Sequence, residues 1–352
     1  MNAQPAICPA CRSSAISWKK GFRCSAIPVR SSKSGDSENS TPCERSSGNE
    51  PRLQSKEQRA SEPQTGVVGS PVADRDCTAF LQWALAQRDL RWRGFRKVRR
   101  QVCKRLKRRI RELGLGDLAA YRSRLETDPA EWRAFDECCH ITISRFFRDR
   151  GVFEALRTYV LPDIASRIAR EGRVGRIWSA GCASGEEPYT LKIIWDCEVT
   201  LCFPDARVSI VATDVEEAVL ARARQGCFEP ASLRELPSNF VEQAFDRVGP
   251  LHCIKTQYRD GVEFLHQDLR KESPALLFDL ILCRNVAFTY FAAPLQQQVL
   301  TRIIDRLAPH GYLAIGTHER LPNVQPSLTP LSGAPWILRR GSSSSKHCAP
   351  SV

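Results

Sequence analysis

Long hydrophobic runs are missing from this chain of 352 residues. No apolar stretch approaches the ~20 residues that a membrane-spanning helix needs, and we therefore expect no membrane span. A compact, evenly spaced cysteine framework is missing as well, since the 15 cysteines are scattered along the chain. Because no secretory hydrophobic region precedes them, we expect reduced thiols in a reducing compartment rather than disulfides.

Acidic residues are absent from the start of the chain, where the first is Asp36. Residues 1–72 are rich in Ser, Pro, Gly, Lys and Arg and lack apolar periodicity, which is typical of a disordered extension. An organellar transit peptide explains this composition equally well. We therefore expect a cytoplasmic protein, or a plastid or mitochondrial one if the extension is a transit peptide.

Zinc binding by the cysteines of this extension is not favoured. Cys8 and Cys11 form one CxxC pair, but Cys24 and Cys43 do not form a second, and no histidine lies nearby.

Positive charge is what the chain has in excess. The formal net charge of +13 and the pI of about 9.2 predict acidic partners or substrates. The 42% of hydrophobic residues can build a sizeable core. The length fits one large domain with a smaller one and a tail.

Residues 73–170 have helical periodicity, and they include the most basic segment of the chain, Arg91–Arg111. Apolar residues recur every three or four positions along this segment and just beyond it, and they form one stripe: Phe95, Val98, Val102, Leu106, Ile110 and Leu113. Because like charges on the other faces repel one another, the segment predicts docking of an acidic protein. Nucleic acid is a weaker alternative, since no interleaved aromatic residues suggest base stacking. We expect a monomer.

Strands and helices alternate in residues 171–340. Four apolar runs predict buried strands: 176–178, 208–213, 278–283 and 312–316. This alternation predicts an α/β fold with a Rossmann-like parallel sheet and helices on both of its faces. Residues 228–264 interrupt the pattern, and we interpret them as a small inserted β-subdomain that includes a strand at 262–265. A further strand at 336–338 is expected at an edge, and residues 341–352 form a polar tail.

A glycine-rich turn follows the first predicted strand. Gly181 and Gly185 allow a tight turn and a close approach of the backbone to a ligand. No Lys-Ser/Thr pair follows, so the turn is not a phosphate-binding P-loop. Glu186 and Glu187 come next, and carboxylates repel phosphates but favour hydroxyls or a cationic ligand.

Other polar residues follow the later strands. Asp214 ends the second strand, where an acidic residue typically binds ribose hydroxyls, although it lies too far from the turn for an NAD fingerprint. Ligands of α/β sheets bind at the carboxyl ends of the strands. We therefore expect one pocket there, formed by Gly185, Glu187, Asp214, Asp268, Arg284 and Asn285.

Several strings together resemble the CheR-type chemotaxis receptor methyltransferases. The matching segments are 178–189, 212–214, 278–286, a variant closing motif at 316–321 and the aromatic-arginine segment 145–149. They occur in the family's order between about residues 75 and 322. The resemblance implies an α-helical N-terminal domain, a Rossmann-like catalytic domain with an inserted β-subdomain, S-adenosylmethionine (SAM) as methyl donor, and a protein glutamate as acceptor.

The resemblance also implies roles for single residues. Glu187 and Asp214 would hold SAM, with Asp214 on the ribose. Asp268 and Leu269 would line the adenine, and Arg284 and Asn285 the methionine end. Thr142, Ser144 and Arg148 would close over SAM from the helical side. Arg148 and Tyr290 would face the acceptor carboxylate. The basic helix would dock on acidic receptor helices. No metal is implied, and this region contains no metal-binding constellation.

Departures from the family pattern leave the acceptor open. Thr142 and Ser144 replace the usual Asn and Thr, and His318 replaces a usual serine. Tyr290 lies one residue farther from Asn285 than the family pattern places it, which changes the acceptor side. The alternatives are a methyltransferase that acts on another protein, RNA or a small molecule, and a non-catalytic binding module.

Overall fold

A computed structural model describes residues 74–323 and 325–341. The predictions for residues 1–72, including the cysteines from Cys8 to Cys43, and for the tail beyond residue 341 lie outside this part of the chain. Among the described residues, no helix combines the length and apolarity needed to cross a bilayer.

The first part of the described chain is a helical domain built around one apolar cluster. Its helices are α1 (Asp74–Ala86), α2 (Trp92–Phe95), α3 (Arg99–Glu112), α4 (Leu118–Thr127) and α5 (Glu131–Cys139). The predicted stripe of α3 is buried through Val102, Leu106 and Ile110, where it packs with Phe135 and its neighbours. Burying this stripe leaves the basic side chains of α3 on its outer faces.

The predicted continuous basic helix is interrupted at residues 96–98. The tertiary contacts of α2 explain the break: the Arg91 N–H donates to the Tyr290 carbonyl (2.8 Å), and the Phe95 ring packs on the Tyr290 ring (4.9 Å between centroids). These contacts fix α2 against another part of the chain, and helical periodicity alone could not reveal them.

Two disulfides correct the expectation of reduced thiols. Cys77–Cys103 joins α1 to α3, and Cys227–Cys253 joins two strands of a small sheet. In each pair the cysteines are 26 residues apart in sequence, so only the tertiary fold brings them together. The buried Cys138, Cys139, Cys182 and Cys283 are thiols.

A second domain, the sheet domain, follows helix α6 (Arg150–Ala155), a π-helical turn (Leu156–Val160) and helix α7 (Leu161–Glu171). Its ten strands are β1 (Gly175–Ala180), β2 (Val208–Asp214), β3 (Cys227–Phe228), β4 (Phe245–Val248), β5 (Leu251–Ile254), β6 (Val262–His266), β7 (Phe278–Leu282), β8 (Leu307–Ala314), β9 (Leu328–Leu331) and β10 (Ala334–Arg340). The remaining helices are α8 (Glu186–Ile194), α9 (Thr200–Cys202), α10 (Glu217–Gln225), α11 (Ser238–Ala244), α12 (Ala287–Tyr290) and α13 (Ala293–Arg306). A second π-helical turn (Trp195–Val199) lies between α8 and α9.

The main sheet has seven strands in the order β6-β2-β1-β7-β8-β10-β9. Strands β6, β2, β1, β7 and β8 are parallel, and β10 and β9 add antiparallel pairs at one side. Neighbouring residues of β1 enter different clusters, Ile177 on one face and Trp178 on the other. Both faces are therefore covered, as the alternation of apolar runs predicts.

Two strand predictions need correction. The strand at 262–265 is not part of the small subdomain, because β6 pairs with β2 at one edge of the main sheet. The strand at 336–338 is not an edge, because β10 lies between β8 and β9, a strand that the sequence analysis missed. The small sheet consists of β3, β5 and β4 alone.

A buried carboxylate ties the amino ends of the central strands together. Asp279 on β7 is 1% exposed and accepts two hydrogen bonds from the Arg173 guanidinium (2.8 Å each) and one from the Arg176 N–H (3.0 Å). Burial by itself raises the pKa of Asp279, but the hydrogen bonds from Arg173 and Arg176 outweigh it and lower the pKa.

We predict that Asp279→Asn lowers the free energy of unfolding by about 3 kcal/mol at neutral pH, because it removes one partner of a buried ion pair. Since the folded-state pKa is depressed, this contribution is present above the ordinary aspartate pKa of about 4 and is lost as pH falls through the folded value. Denaturant unfolding at several pH values measures both effects.

The control for this prediction is Glu126→Gln, which removes one partner of the exposed Arg122–Glu126 pair. An exposed pair contributes only about 0–1 kcal/mol. Equal losses in the two variants would contradict the role assigned to Asp279.

Candidate functional site

A cavity opens at the carboxyl ends of β1, β2 and β7, between the helical domain and the sheet. All but one of the predicted site residues line it: Thr142, Ser144, Arg148, Gly181, Glu187, Asp214, Asp268, Leu269, Arg284, Asn285 and Tyr290. The exception is Gly185. The parallel sheet thus brings together side chains that are far apart in sequence.

Gly181 forms the floor of the cavity. Its φ is +78°, and a Cβ at this position would lie 2.4 Å from Cγ2 of Val286. The N–H groups of Gly181 and Cys182 both donate to the Thr213 carbonyl, at 2.8 and 3.0 Å. The turn is therefore fixed to the end of β2, and a side chain at residue 181 would displace the neighbouring loop.

Gly185 lies behind the cavity rather than on its surface. Its φ is +91°, and a Cβ would approach Ala223 (3.0 Å), Tyr189 (3.1 Å) and Phe264 (3.2 Å). This glycine permits the close packing of α8 against its neighbours. It shapes the site without facing a ligand.

Asp214 holds the turn and faces the cavity. Its carboxylate accepts hydrogen bonds from the Ala183 N–H (2.9 Å) and the Glu216 N–H (3.1 Å). Burial raises its pKa, and these backbone donors only partly oppose the shift. Within the described part of the chain, its carboxylate forms no ion pair with an arginine or lysine, which leaves lone pairs for a ligand.

Glu187 is paired with Arg284. Its carboxylate accepts from the Ser179 hydroxyl (2.7 Å) and from Arg284 Nη1 (2.8 Å). Arg284 is 6% exposed, and its Nη2 donates to the Arg148 carbonyl (2.6 Å) and to the Asp149 carboxylate (3.0 Å). The Phe153 ring lies 5.0 Å from the guanidinium carbon. Arg284 therefore joins three segments of the cavity wall.

Asp268 is also engaged by arginine. It accepts hydrogen bonds from the Arg270 N–H and guanidinium at 3.0–3.2 Å. Arg270 in turn donates to Asp136 of α5 (3.2 Å), which Arg88 also binds through two hydrogen bonds. This chain of charges connects the helical domain to one end of the cavity.

The connection between the domains supplies the opposite wall. Phe147 and Asp149 have left-handed backbone conformations, each with φ of +59°. Arg148 lies between them and donates through Nη1 to the Ile143 carbonyl (2.6 Å). Glu186 is buried and is not among the residues that line the cavity; burial raises its pKa, and a hydrogen bond from Ser144 opposes the shift.

Tyr290 forms the corner next to Arg148. Burial raises the pKa of its phenol, and the charge of Arg148 opposes the shift. Its hydroxyl forms no hydrogen bond with the part of the chain that the structure describes. Together, Arg148 and Tyr290 present a cation and a hydroxyl to whatever enters this corner.

Gln267 and His140 also line the cavity, although the sequence did not predict them there. Gln267 Oε1 is buried without a hydrogen-bond partner in the described part of the chain, and His140 Nδ1, also without a hydrogen bond, lies 3.8 Å from Oε2 of Glu216. Gln267 follows β6 directly, so the correct assignment of β6 to the main sheet would have placed it at the ligand edge. Buried unpaired polar atoms are costly, which indicates a polar ligand here.

These features fit SAM. Among the described residues, the site offers one carboxylate without an arginine or lysine partner for ribose hydroxyls, the buried Gln267 Oε1 for a heterocycle, and an apolar lining that includes Val286, Leu269 and Phe291. Bulky phosphates would meet carboxylates instead of the donors of a P-loop.

Comparison with known proteins agrees with this fit. Residues 142–336 match the family model described as CheR methyltransferase, SAM binding domain, and residues 97–137 match the all-alpha domain of the same family.

Three relatives illustrate the similarity. Chemotaxis protein methyltransferase 1 of Pseudomonas aeruginosa is 33% identical over 245 residues, which are 68% of this chain and 88% of the relative. The chemotaxis protein methyltransferase of Escherichia coli is 31% identical over 239 residues, or 66% of this chain and 80% of the relative. A 104.1 kDa uncharacterized protein of Rhodobacter capsulatus is 31% identical over 231 residues, which span 66% of this chain and only 24% of that protein. The chain belongs to the CheR methyltransferase family, a family of SAM-dependent methyltransferases, and contains both the SAM-binding and the all-alpha domain of that family.

Proposed function

We propose that the protein transfers the methyl group of SAM to a glutamate side chain of an acidic protein. The observation that carries this proposal is the corner formed by Arg148 and Tyr290 at the cavity. Only one guanidinium nitrogen of Arg148 is used in a hydrogen bond within the described residues, namely Nη1 with Ile143. The remaining donors suit a carboxylate, which guanidinium binds with two parallel hydrogen bonds.

The chemistry requires alignment more than base catalysis. When bound, SAM would supply an activated methyl group that a carboxylate oxygen could accept directly, with the sulfur leaving as a neutral thioether. Arg148 holds the acceptor carboxylate, and Tyr290 limits its orientation. The helical domain and residues 142–149 cover the reacting groups and exclude water, which strengthens the alignment.

Asp214 binds the donor through its ribose hydroxyls. Its carboxylate is the one acidic group of the cavity that lacks an arginine partner among the described residues, since Glu187 pairs with Arg284, and both Asp136 and Asp268 pair with Arg270. Asp268 and Leu269 contact the adenine end through their backbone and apolar surface. Glu187, Arg284, Asn285, Thr142 and Ser144 shape the methionine end.

The outer face of α3 docks the acidic protein. Its basic residues divide into two groups. The first group has partners within the chain: Arg105 donates to the His140 carbonyl, Arg109 forms two hydrogen bonds with Glu131, Arg99 donates to the Thr78 hydroxyl, and Arg108 pairs with Glu112. A shallow groove is lined by the other group: Arg100, Lys104, Lys107 and Arg111. This second group is available to an acidic partner. A monomeric state and a cytoplasmic location stay predictions.

One observation favours a different acceptor as the second candidate. The stretch before Tyr290 contains one residue more than the family pattern, and Arg91 binds the Phe288 and Thr289 carbonyls (2.9 Å to Thr289). The extra residue is thus built into a fixed acceptor wall. A different protein, an RNA or a small molecule then replaces the receptor glutamate.

The acceptor chemistry is tested with methyl-labelled SAM and a cell extract. We expect label on an acidic protein, and we expect mild alkali to release it, because carboxyl methyl esters hydrolyse whereas most N-methyl groups do not. Alkali-stable label, or label on RNA, would replace the glutamate assignment with the second candidate. Inactive enzyme prepared with Asp214→Ala controls for labelling by the extract.

We predict that Asp214→Asn weakens SAM binding by about 10- to 100-fold, since it weakens charge-assisted hydrogen bonds to the ligand. Burial raises the pKa of Asp214 above the ordinary aspartate value of about 4. The affinity of the unmodified protein for SAM therefore falls as the pH decreases toward this raised pKa. The variant loses this dependence. Calorimetry across pH measures both, with Asp205→Asn, an exposed position, as the control.

We predict that the double substitution Lys104→Glu and Lys107→Glu raises the KM for the protein acceptor about tenfold or more and reduces its dependence on salt. The affinity for SAM stays unchanged, because α3 presents this face away from the cavity. The matched control reverses the charge of two exposed residues near the amino ends of the strands, through Arg170→Glu and Arg207→Glu. A similar rise of KM in the control would show that net charge, not the groove, controls docking.

A further inference from the structure

The loop from Asn285 to Tyr290 forms the acceptor side of the cavity. Asn285, Val286 and Tyr290 all line it. Asn285 has a φ of +59°, a conformation that costs free energy for a residue other than glycine. Such a backbone persists only when other contacts hold it, so the groups that hold this loop determine where Asn285 and Tyr290 lie.

Glu319 contacts both ends of this loop. Its Oε2 accepts hydrogen bonds from the Asn285 N–H (2.9 Å) and the Gly316 N–H (2.6 Å). Its Oε1 accepts one from the Thr289 hydroxyl (2.6 Å). Glu319 is 8% exposed. A single buried carboxylate therefore connects the segment after β8 with the first residue of the loop and with the residue before Tyr290.

The surroundings of Glu319 are shaped to admit this carboxylate. A Cβ on Gly316 would lie 2.8 Å from Glu319 Oε2 and 3.1 Å from the Asn285 side-chain oxygen. Glycine at residue 316 thus permits the close approach. Glu319 itself is not among the residues that line the cavity, so it reaches the reaction only through the loop.

The helical domain holds the same loop from the opposite side. The Arg91 N–H donates to the Tyr290 carbonyl (2.8 Å), and Arg91 Nε donates to the Thr289 carbonyl (2.9 Å). A Cβ on Gly94 would lie 2.2 Å from the Thr289 carbonyl oxygen, so this contact requires glycine. The loop that contains the extra residue is therefore fixed between Glu319 and α2.

We propose that Glu319 is a positioning residue for methyl transfer: it holds the loop so that Asn285 and Tyr290 face the cavity in the reactive arrangement, and it touches neither donor nor acceptor. The inference rests on the proposed transfer to a carboxylate. It adds a residue of the closing motif to which the sequence analysis assigned no role.

Three variants test this role. Glu319→Ala removes all three hydrogen bonds that the Glu319 carboxylate accepts. Thr289→Val removes only the one from the Thr289 hydroxyl. Glu319→Gln keeps a carbonyl oxygen that can accept from the backbone N–H groups, so it is the conservative rescue. Thr301→Val is the matched control, because the Thr301 hydroxyl bonds to the Gln297 carbonyl (3.1 Å) within α13 and away from the loop.

We expect kcat to fall about 100-fold in Glu319→Ala and about tenfold in Thr289→Val, because a displacement of about 1 Å at reacting groups costs rates of this order. Glu319→Gln stays within about fivefold of the unmodified protein. The Kd for SAM changes less than about twofold in Thr289→Val, which keeps the hydrogen bond at Asn285, and it rises by a smaller factor than kcat falls in Glu319→Ala, which removes that bond. Equal losses of kcat and of SAM affinity, or an unchanged kcat in both disruptive variants, would overturn the proposal.

Hydrogen exchange separates this inference from the proposed function. Amide exchange of residues 285–291 is expected to rise about tenfold or more in Glu319→Ala and in Thr289→Val. Segments other than this loop and residues 316–319, which Glu319 also contacts, keep their rates, as does the loop in the Thr301→Val control. Unchanged exchange in the loop would refute the positioning role even if methyl transfer occurs. Absence of transfer to any acidic protein by the unmodified protein would instead refute the proposed function.

Discussion

The site depends on the buried guanidinium of Arg284. This side chain follows β7 and joins Glu187 of α8 to the Arg148 carbonyl and the Asp149 carboxylate. A charge this deeply buried is tolerated only when its partners are in place. Three parts of the site therefore have to assemble together: the start of α8, residues 148–149 between the domains, and the end of β7. Arg284 is the group that they share.

The distribution of charges around Arg284 suits the two chemically different ligands that the proposed function places in one cavity. Most of its carboxylates and guanidiniums neutralise one another, as Asp268 and Arg270 do. What remains is one carboxylate without a cationic partner among the described residues, Asp214, and the largely uncommitted donors of Arg148. The first suits hydroxyls of a cationic donor, and the second suits an anionic acceptor. Under the proposed function, the pairing of the other charges leaves each ligand one complementary charged group.

The sequence predicted the features of the site that are local. The turn at Gly181, the acidic end of β2 and the Arg284–Asn285 pair each follow directly from an apolar strand, and parallel strands bring such ends to one edge. For Gly185 the turn was predicted correctly, but the position on the cavity surface was wrong. Sequence alone does not distinguish a glycine that faces a ligand from one that allows a helix to pack closely.

The polar residues that the sequence did not predict depend on pairing between distant segments. Gln267 is at the ligand edge only because β6 pairs with β2, and Asp136 reaches Arg270 across the domain boundary. The two disulfides and the break between α2 and α3 have the same cause, since each is determined by a tertiary neighbour that leaves no periodic signal.

The division of α2 and α3 gives the helical domain two separate tasks. The face of α3 that packs with Phe135 anchors the domain, and its outer face keeps a basic groove exposed. The short helix α2 points the other way, where Phe95 packs on Tyr290 and Arg91 binds the loop that precedes it. The break at residues 96–98 therefore lets one basic segment present a basic groove and also contact the loop before Tyr290, the two surfaces to which the proposed function assigns docking and the acceptor corner.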